Sequence, residues 1–182
     1  LQAGAGLASG YTDADYRQKG VDILPDAAAL YGQAELLLKV KEPIAAEFPL
    51  LRREHRLFSF LHLAAEPGLA AVLRDKGLTA LAFETVEQAG RLPLLAPMSD
   101  IAGRIGVQVG ATLLHSPQGG RGLLLGGLPA ASRGRVVVLG AGEAGGSAAA
   151  MAAAMGAEVV VFDLSRAALG RMLALGPNVT GL

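Results

Sequence analysis

Short apolar runs alternate with stretches of mixed polarity along the first half of the chain. Residues 12–20 predict a helix, because Thr12 and Asp15 have capping-box spacing and Gly20 suits the stop. Residues 21–24 form a short strand candidate, and residues 25–34 a helix opening on Pro25. LLLKV at 36–40 reads as an apolar strand halted by Pro43, and LFSFL at 57–61 as another. Residues 67–76 predict a helix stopped by Gly77, and 78–83 the next strand. Strands alternating with helices in this way indicate parallel βαβ units.

A loop at 84–91 follows, and a long helix is expected from Pro97 to about His115. On it Ile101, Ile105, Val109 and Leu113 recur every four residues, which predicts a buried stripe. Beyond a glycine-dense loop at 117–134 come a Val-rich strand (135–139), a helix (145–155) and a strand (158–162), with Ser165 placed to cap a last helix. The fold class is α/β with two domains: a parallel-sheet substrate domain over 1–94, and the first half of a Rossmann dinucleotide domain over 95–182. The chain opens on Leu1 and stops soon after a βαβ pattern begins, so it is expected to be an internal fragment.

Composition narrows the chemistry. Hydrophobic residues make up 52% and charged residues 18%, enough for buried cores and against a disordered chain. Sixteen basic residues balance sixteen acidic ones with no charge block, so neither nucleic acid nor an anionic membrane is an expected partner. With no cysteine there is no disulfide framework, thiolate nucleophile or cysteine-ligated zinc, which fits a cytoplasmic protein. No apolar run reaches the length of a membrane span.

The strongest motif is RVVVLGAGEAGGSAAAMAAAMGAEVVVFD at 135–163. Gly140-x-Gly142-x-x-Gly145 follows a strand and opens a helix, and Asp163 ends the next strand. In a chain with 25 glycines the triplet alone is weak; this context makes it specific. Gly140 permits the tight turn, Gly142 lets backbone approach a pyrophosphate, and Gly145 lets helix and strand pack closely. Glu143 and Ala144 complete the cofactor turn, with Glu143 expected to face solvent. Asp163 suits the adenosine ribose hydroxyls and repels a 2′-phosphate, so NAD is expected rather than NADP; Arg166 is the counter-signal, read more simply as an exposed helix residue.

In the first half, Lys41 and His62 each stand at the carboxyl end of an expected parallel strand, where ligands of open α/β sheets bind. A lysine there can hold a carboxylate or polarise a carbonyl, and a histidine can exchange a proton near neutral pH. The residues alone leave alternatives: Lys41 as a solvated strand end, His62 as a satisfied histidine under a loop, and Lys39 in place of Lys41.

The strings KVKEP (39–43), FLHLA (60–64), FETV (83–86), LPLLAPMSDIAGRIGVQVGA (92–111) and QGGRGLLLGG (118–127), with the 135–163 unit, resemble the alanine dehydrogenase family. The resemblance is closer than to its relative, the nucleotide-binding part of proton-translocating transhydrogenase, which lacks the pairing of KVKEP with FLHLA. It implies that Lys41 binds the carboxylate and carbonyl of pyruvate and that His62 is the catalytic acid/base. Met98 and Ser99 would lie at the cofactor, with Gly140, Gly142, Gly145 and Asp163 as its pyrophosphate turn and ribose carboxylate. A substrate-clamping arginine and a water-assisting aspartate of the family would lie outside residues 1–182. The implied reaction is the NAD-dependent, reversible oxidative deamination of L-alanine to pyruvate and ammonia, without a metal, in a homo-oligomer, commonly a hexamer. The alternatives are a transhydrogenase-type NAD module and a non-catalytic NAD-binding regulatory module.

Overall fold

Leu37, Leu57 and Ala80 stand side by side on three parallel strands, in the first of two units. The computed structural model describes residues 1–182, and the units are Leu1–Val86 and Glu87–Leu182. Residues 87–94 therefore go with the second unit. No helix is long and apolar enough to cross a membrane.

The first unit opens with two short helices, α1 (Asp13–Gln18) and α2 (Ala27–Gln33). The Thr12 hydroxyl accepts the Asp15 N–H, and the Asp15 carboxylate accepts the Thr12 N–H, so α1 has the expected capping box. Helix α2 is capped by Asp26, which leaves Pro25 outside it rather than at its first turn. Strands β1 (Leu36–Leu38), β2 (Arg56–Ser59) and β3 (Thr79–Ala82) pair in parallel in the order β1-β2-β3. Helix α3 (Pro67–Lys76) makes the crossover from β2 to β3 and ends at Gly77, whose φ of 68° satisfies the left-handed cap. Leu37, Leu57, Leu61, Leu69 and Leu73 form the core with Tyr31. Fully burying each such leucine contributes roughly 1.5–3 kcal/mol.

Residues 21–24 do not form a strand. Only Leu24 pairs, in a single bridge to Gln2, and Pro25 has no N–H with which to extend it.

The second unit contains α4 (Ala96–Leu113), β4 (Arg135–Leu139), α5 (Glu143–Ala154), β5 (Glu158–Phe162), α6 (Arg166–Leu173) and β6 (Val179–Gly181). Its strands are parallel in the order β4-β5-β6, the first half of a Rossmann sheet. Val138, Val159, Val161 and Val179 pack with Ala149 and Ala152 of α5 and Ala168 and Met172 of α6.

The expected buried stripe on α4 is overturned. Ile101, Ile105, Val109 and Leu113 are exposed, and the buried positions are Gly103, Val107 and Ala111. A Cβ on Gly103 would lie 2.1 Å from the Ala144 carbonyl oxygen, so α4 and α5 meet almost backbone to backbone. Close approach needs small side chains, and bulky ones are turned outward.

Candidate active site

Three acidic or basic groups and one imidazole gather where the strands of the first unit end. The chain runs past β1 to Lys41 and Glu42, past β2 to His62, and past β3 into a short turn, Phe83–Thr85, carrying Glu84. This is the carboxyl edge of a parallel sheet, where loops rather than ladder bonds decide which side chains meet.

Glu42 joins the two expected residues. Its Oε2 lies 3.2 Å from His62 Nδ1 and 3.6 Å from Lys41 Nζ. The Glu42 carboxyl is held below the ordinary range by its own backbone N–H and then by His62. The Lys41 side chain is 62% exposed, so its contact with Glu42 is a loose surface pair that leaves the ammonium available to an anion.

Lys39 is differently engaged. Its Nζ lies 2.6 and 2.8 Å from the two carboxylate oxygens of Glu47, a residue 7% exposed that also accepts the Ile44 N–H at 2.9 Å. Burial pushes the Glu47 carboxyl up, but the Lys39 bond and the Ile44 N–H outweigh it, and the group stays below its usual range.

His62 has φ 49°, one of two non-glycine residues in the left-handed region. Glu84 sustains that conformation: Oε1 accepts the His62 N–H at 2.7 Å, and both oxygens lie 3.2 Å from the Leu61 N–H. Burial pushes the Glu84 carboxyl up, while its own N–H and those of His62 and Leu61 bring it below the ordinary range. The Phe60 ring lies nearly parallel to the imidazole, at 19° and 6.2 Å between centroids. Glu42 and Glu84 did not stand out in the sequence. Both lie inside strings that carry the family resemblance, Glu42 in KVKEP and Glu84 in FETV, but the spacing of neither points to a role.

In the second unit the turn from β4 to α5 carries the glycine motif. Gly140 has φ 94°, and a Cβ on Gly145 would lie 1.8 Å from the Gly140 carbonyl oxygen, so the protein's own backbone requires glycine at both positions. Gly142 differs: a Cβ there would meet nothing within 4 Å. Its openness suits close approach of a ligand phosphate to the first amides of α5. Glu143 and Ala144 form the first exposed residues of that helix. Asp163, at the end of β5, accepts the Ala141 N–H through Oδ2 at 2.6 Å and the Ser165 N–H through Oδ1 at 2.7 Å. These two bonds, Ala141 first, hold its carboxyl below the ordinary range and beside the turn. The residues present thus fit a dinucleotide.

Met98 and Ser99 lie in the first turn of α4. Asp100, beside them, accepts the Ser147 hydroxyl at 2.5 Å and the Arg104 Nε–H at 2.9 Å, which ties that turn to α5. Asp100 was not singled out in the sequence, since its partner lies 47 positions away.

Comparison with known proteins agrees with the resemblance drawn from the sequence. The family models for the alanine dehydrogenase/PNT N-terminal and C-terminal domains match residues 1–102 and 106–180. The chain is 52% identical over 166 residues to the alanine dehydrogenase of Mycobacterium tuberculosis strain H37Rv, covering 91% of this chain and 45% of that protein. A solved L-alanine dehydrogenase superposes with a TM-score of 0.88 at 46% identity, over 100% of this chain and 50% of the other. A transhydrogenase from Sinorhizobium meliloti gives 0.78 at 26% identity, over 100% of this chain and 53% of the other. The chain spans about half the length of the curated relatives it matches. It belongs to the alanine dehydrogenase/PNT family.

Proposed function

We propose that the protein is an NAD-dependent alanine dehydrogenase, oxidising L-alanine to pyruvate and ammonia and running the reverse amination. The observation that carries this reading is the meeting of Lys41 and His62 on one oxygen of Glu42 at the carboxyl edge of the first sheet. A transhydrogenase module has no use for a substrate-binding lysine beside an acid/base histidine.

Lys41 holds the substrate carboxylate and stabilises negative charge that develops on the carbonyl or carbinol oxygen, a positioning and electrostatic task. His62 takes the proton from the substrate amine and, during hydrolysis of the imine, exchanges a proton with the carbinol oxygen. A nicotinamide held by these residues would supply the hydride acceptor. Gly140, Gly142, Glu143, Ala144 and Gly145 would hold its pyrophosphate, Asp163 would take the ribose, and Met98 and Ser99 would line the cofactor side. In this reading the first unit serves the substrate and the second the dinucleotide.

The reading extends to a cytoplasmic homo-oligomer. The exposed Ile101, Ile105, Val109 and Leu113 face of α4 supports self-association, because contiguous apolar surface of this kind is normally covered.

The decisive experiment is alanine-dependent formation of NADH, with sedimentation reporting assembly. Turnover with alanine supports the dehydrogenase. Hydride exchange between dinucleotides without alanine turnover supports a transhydrogenase, and dinucleotide binding without either supports a regulatory module.

A further inference from the structure

We propose that Glu42 is a positioning residue for His62, holding the imidazole in the Nδ1–H tautomer and leaving Nε2 as the nitrogen that exchanges protons with the substrate. The catalytic half of this inference rests on the functional reading above; the tautomer does not.

The argument begins with what Glu42 can offer. An ionised carboxylate only accepts hydrogen bonds, and Glu42 is ionised at neutral pH because its carboxyl sits below the ordinary range. Its Oε2 lies 3.2 Å from His62 Nδ1. Two acceptors would repel at that distance, so Nδ1 carries the proton and Nε2 keeps its lone pair. A histidine without such a partner favours the proton on Nε2, so Glu42 reverses the ordinary preference.

The surroundings restrict both partners through their backbones. Glu42 precedes Pro43, which disfavours the helical region for Glu42 and stiffens the carboxylate's mount. On the other side Glu84 fixes the backbone of His62, and Phe60 lies along the ring. The same Glu42 oxygen also faces Lys41 Nζ at 3.6 Å, so one carboxylate orients the imidazole while lying beside the cation expected to take the substrate carboxylate.

His55 provides a contrast inside the same chain. Its Nδ1 accepts the Arg52 N–H at 3.1 Å, which forces the proton onto Nε2, and Nε2 donates to the Tyr31 carbonyl oxygen at 3.0 Å. The two histidines are thus held in opposite tautomers by opposite partners.

The test is a long-range proton–nitrogen correlation spectrum of the 15N-labelled protein at about pH 8.5, which distinguishes the two neutral tautomers and the charged ring. His62 is expected as Nδ1–H and His55 as Nε2–H. Glu42→Ala should move His62 to predominantly Nε2–H and leave His55 unchanged, which also reports that the unit is folded. Glu42→Gln should keep Nδ1–H, because the amide oxygen still accepts. An Nε2–H tautomer for His62 in the unmodified protein overturns the inference before any variant is made, as does an unchanged tautomer in Glu42→Ala. In alanine oxidation, Glu42→Ala should lower kcat by up to roughly 100-fold, the cost of a mispositioned catalytic group, with the KM for NAD unmoved. A shifted tautomer with unchanged kcat overturns the catalytic half. Absence of alanine oxidation in the unmodified protein defeats the functional reading and leaves the tautomer result standing.

Discussion

Glu84 Oε1 accepts the backbone N–H of His62 at 2.7 Å, and that residue has the left-handed φ of 49°. A side chain from the turn after β3 therefore fixes the backbone after β2. Strained backbone persists only where its surroundings over-determine it. Here the same carboxylate takes the Leu61 N–H as well.

Glu84→Gln should destabilise the first unit by roughly 1–3 kcal/mol at neutral pH, since one amide oxygen replaces a charged two-oxygen acceptor. The pH dependence has a definite sign. The folded carboxyl lies below its ordinary value, so its contribution is full above about pH 4.3 and is lost as pH falls through the lower folded value. Thermal melts of the two proteins should therefore differ at pH 7 and converge in acid. A difference that grows as pH falls would refute this role for Glu84.

The neighbouring lysines should separate by what they lose. Lys39→Ala strands the buried Glu47 carboxylate and should cost roughly 1–3 kcal/mol of stability. Lys41→Ala breaks only a loose exposed pair and should leave the melting temperature unchanged. It should nevertheless abolish alanine turnover while NADH binding survives. Melting curves, fluorescence titration with NADH and an alanine assay check all three. The reverse pattern would assign the substrate role to Lys39.

The glycines of the turn from β4 to α5 make a similar contrast. Gly145→Ala drives a methyl group into the Gly140 carbonyl oxygen, at 1.8 Å before relaxation, and should unfold or markedly destabilise the second unit. Gly142→Ala enters open space at a φ of −70° and should fold normally. It should still weaken NADH binding roughly tenfold or more, because its methyl group occupies the approach to the phosphates. Equal NADH affinity in Gly142→Ala would show that no pyrophosphate passes close to that residue.

The parts of this fold that were legible in the sequence depend on local physics. The Thr12–Asp15 box, the Gly77 cap and the strand–glycine–helix unit at 135–163 each carry their signal within a few residues or one βαβ span. What was misread depends on the partner surface. The Ile101–Leu113 stripe has the period of a buried face, yet α4 turns Gly103, Val107 and Ala111 to α5. A hydrophobic count rewards bulk, whereas helices in close contact select smallness. In the site, Lys41 and His62 were visible as strand-end residues. Glu42, Glu84 and Asp100 gain their meaning only from the loops and helices folded beside them.

Cofactor choice tests Asp163. Its carboxylate is ionised and held beside the turn by the Ala141 and Ser165 N–H groups, and the proposed function gives that charge to the adenosine ribose. Asp163→Asn keeps a side-chain oxygen for one of these N–H groups and removes the charge. It should lower the preference for NAD over NADP roughly tenfold, with the fold intact. Asp163→Ser also shortens the side chain away from the Ala141 N–H, and should lower both the preference and the melting temperature. Affinities for NADH and NADPH, measured on the three proteins by fluorescence titration, separate charge from turn support. If the unmodified protein binds both cofactors equally, the charge at Asp163 does not face the ribose, and the preference must be set elsewhere.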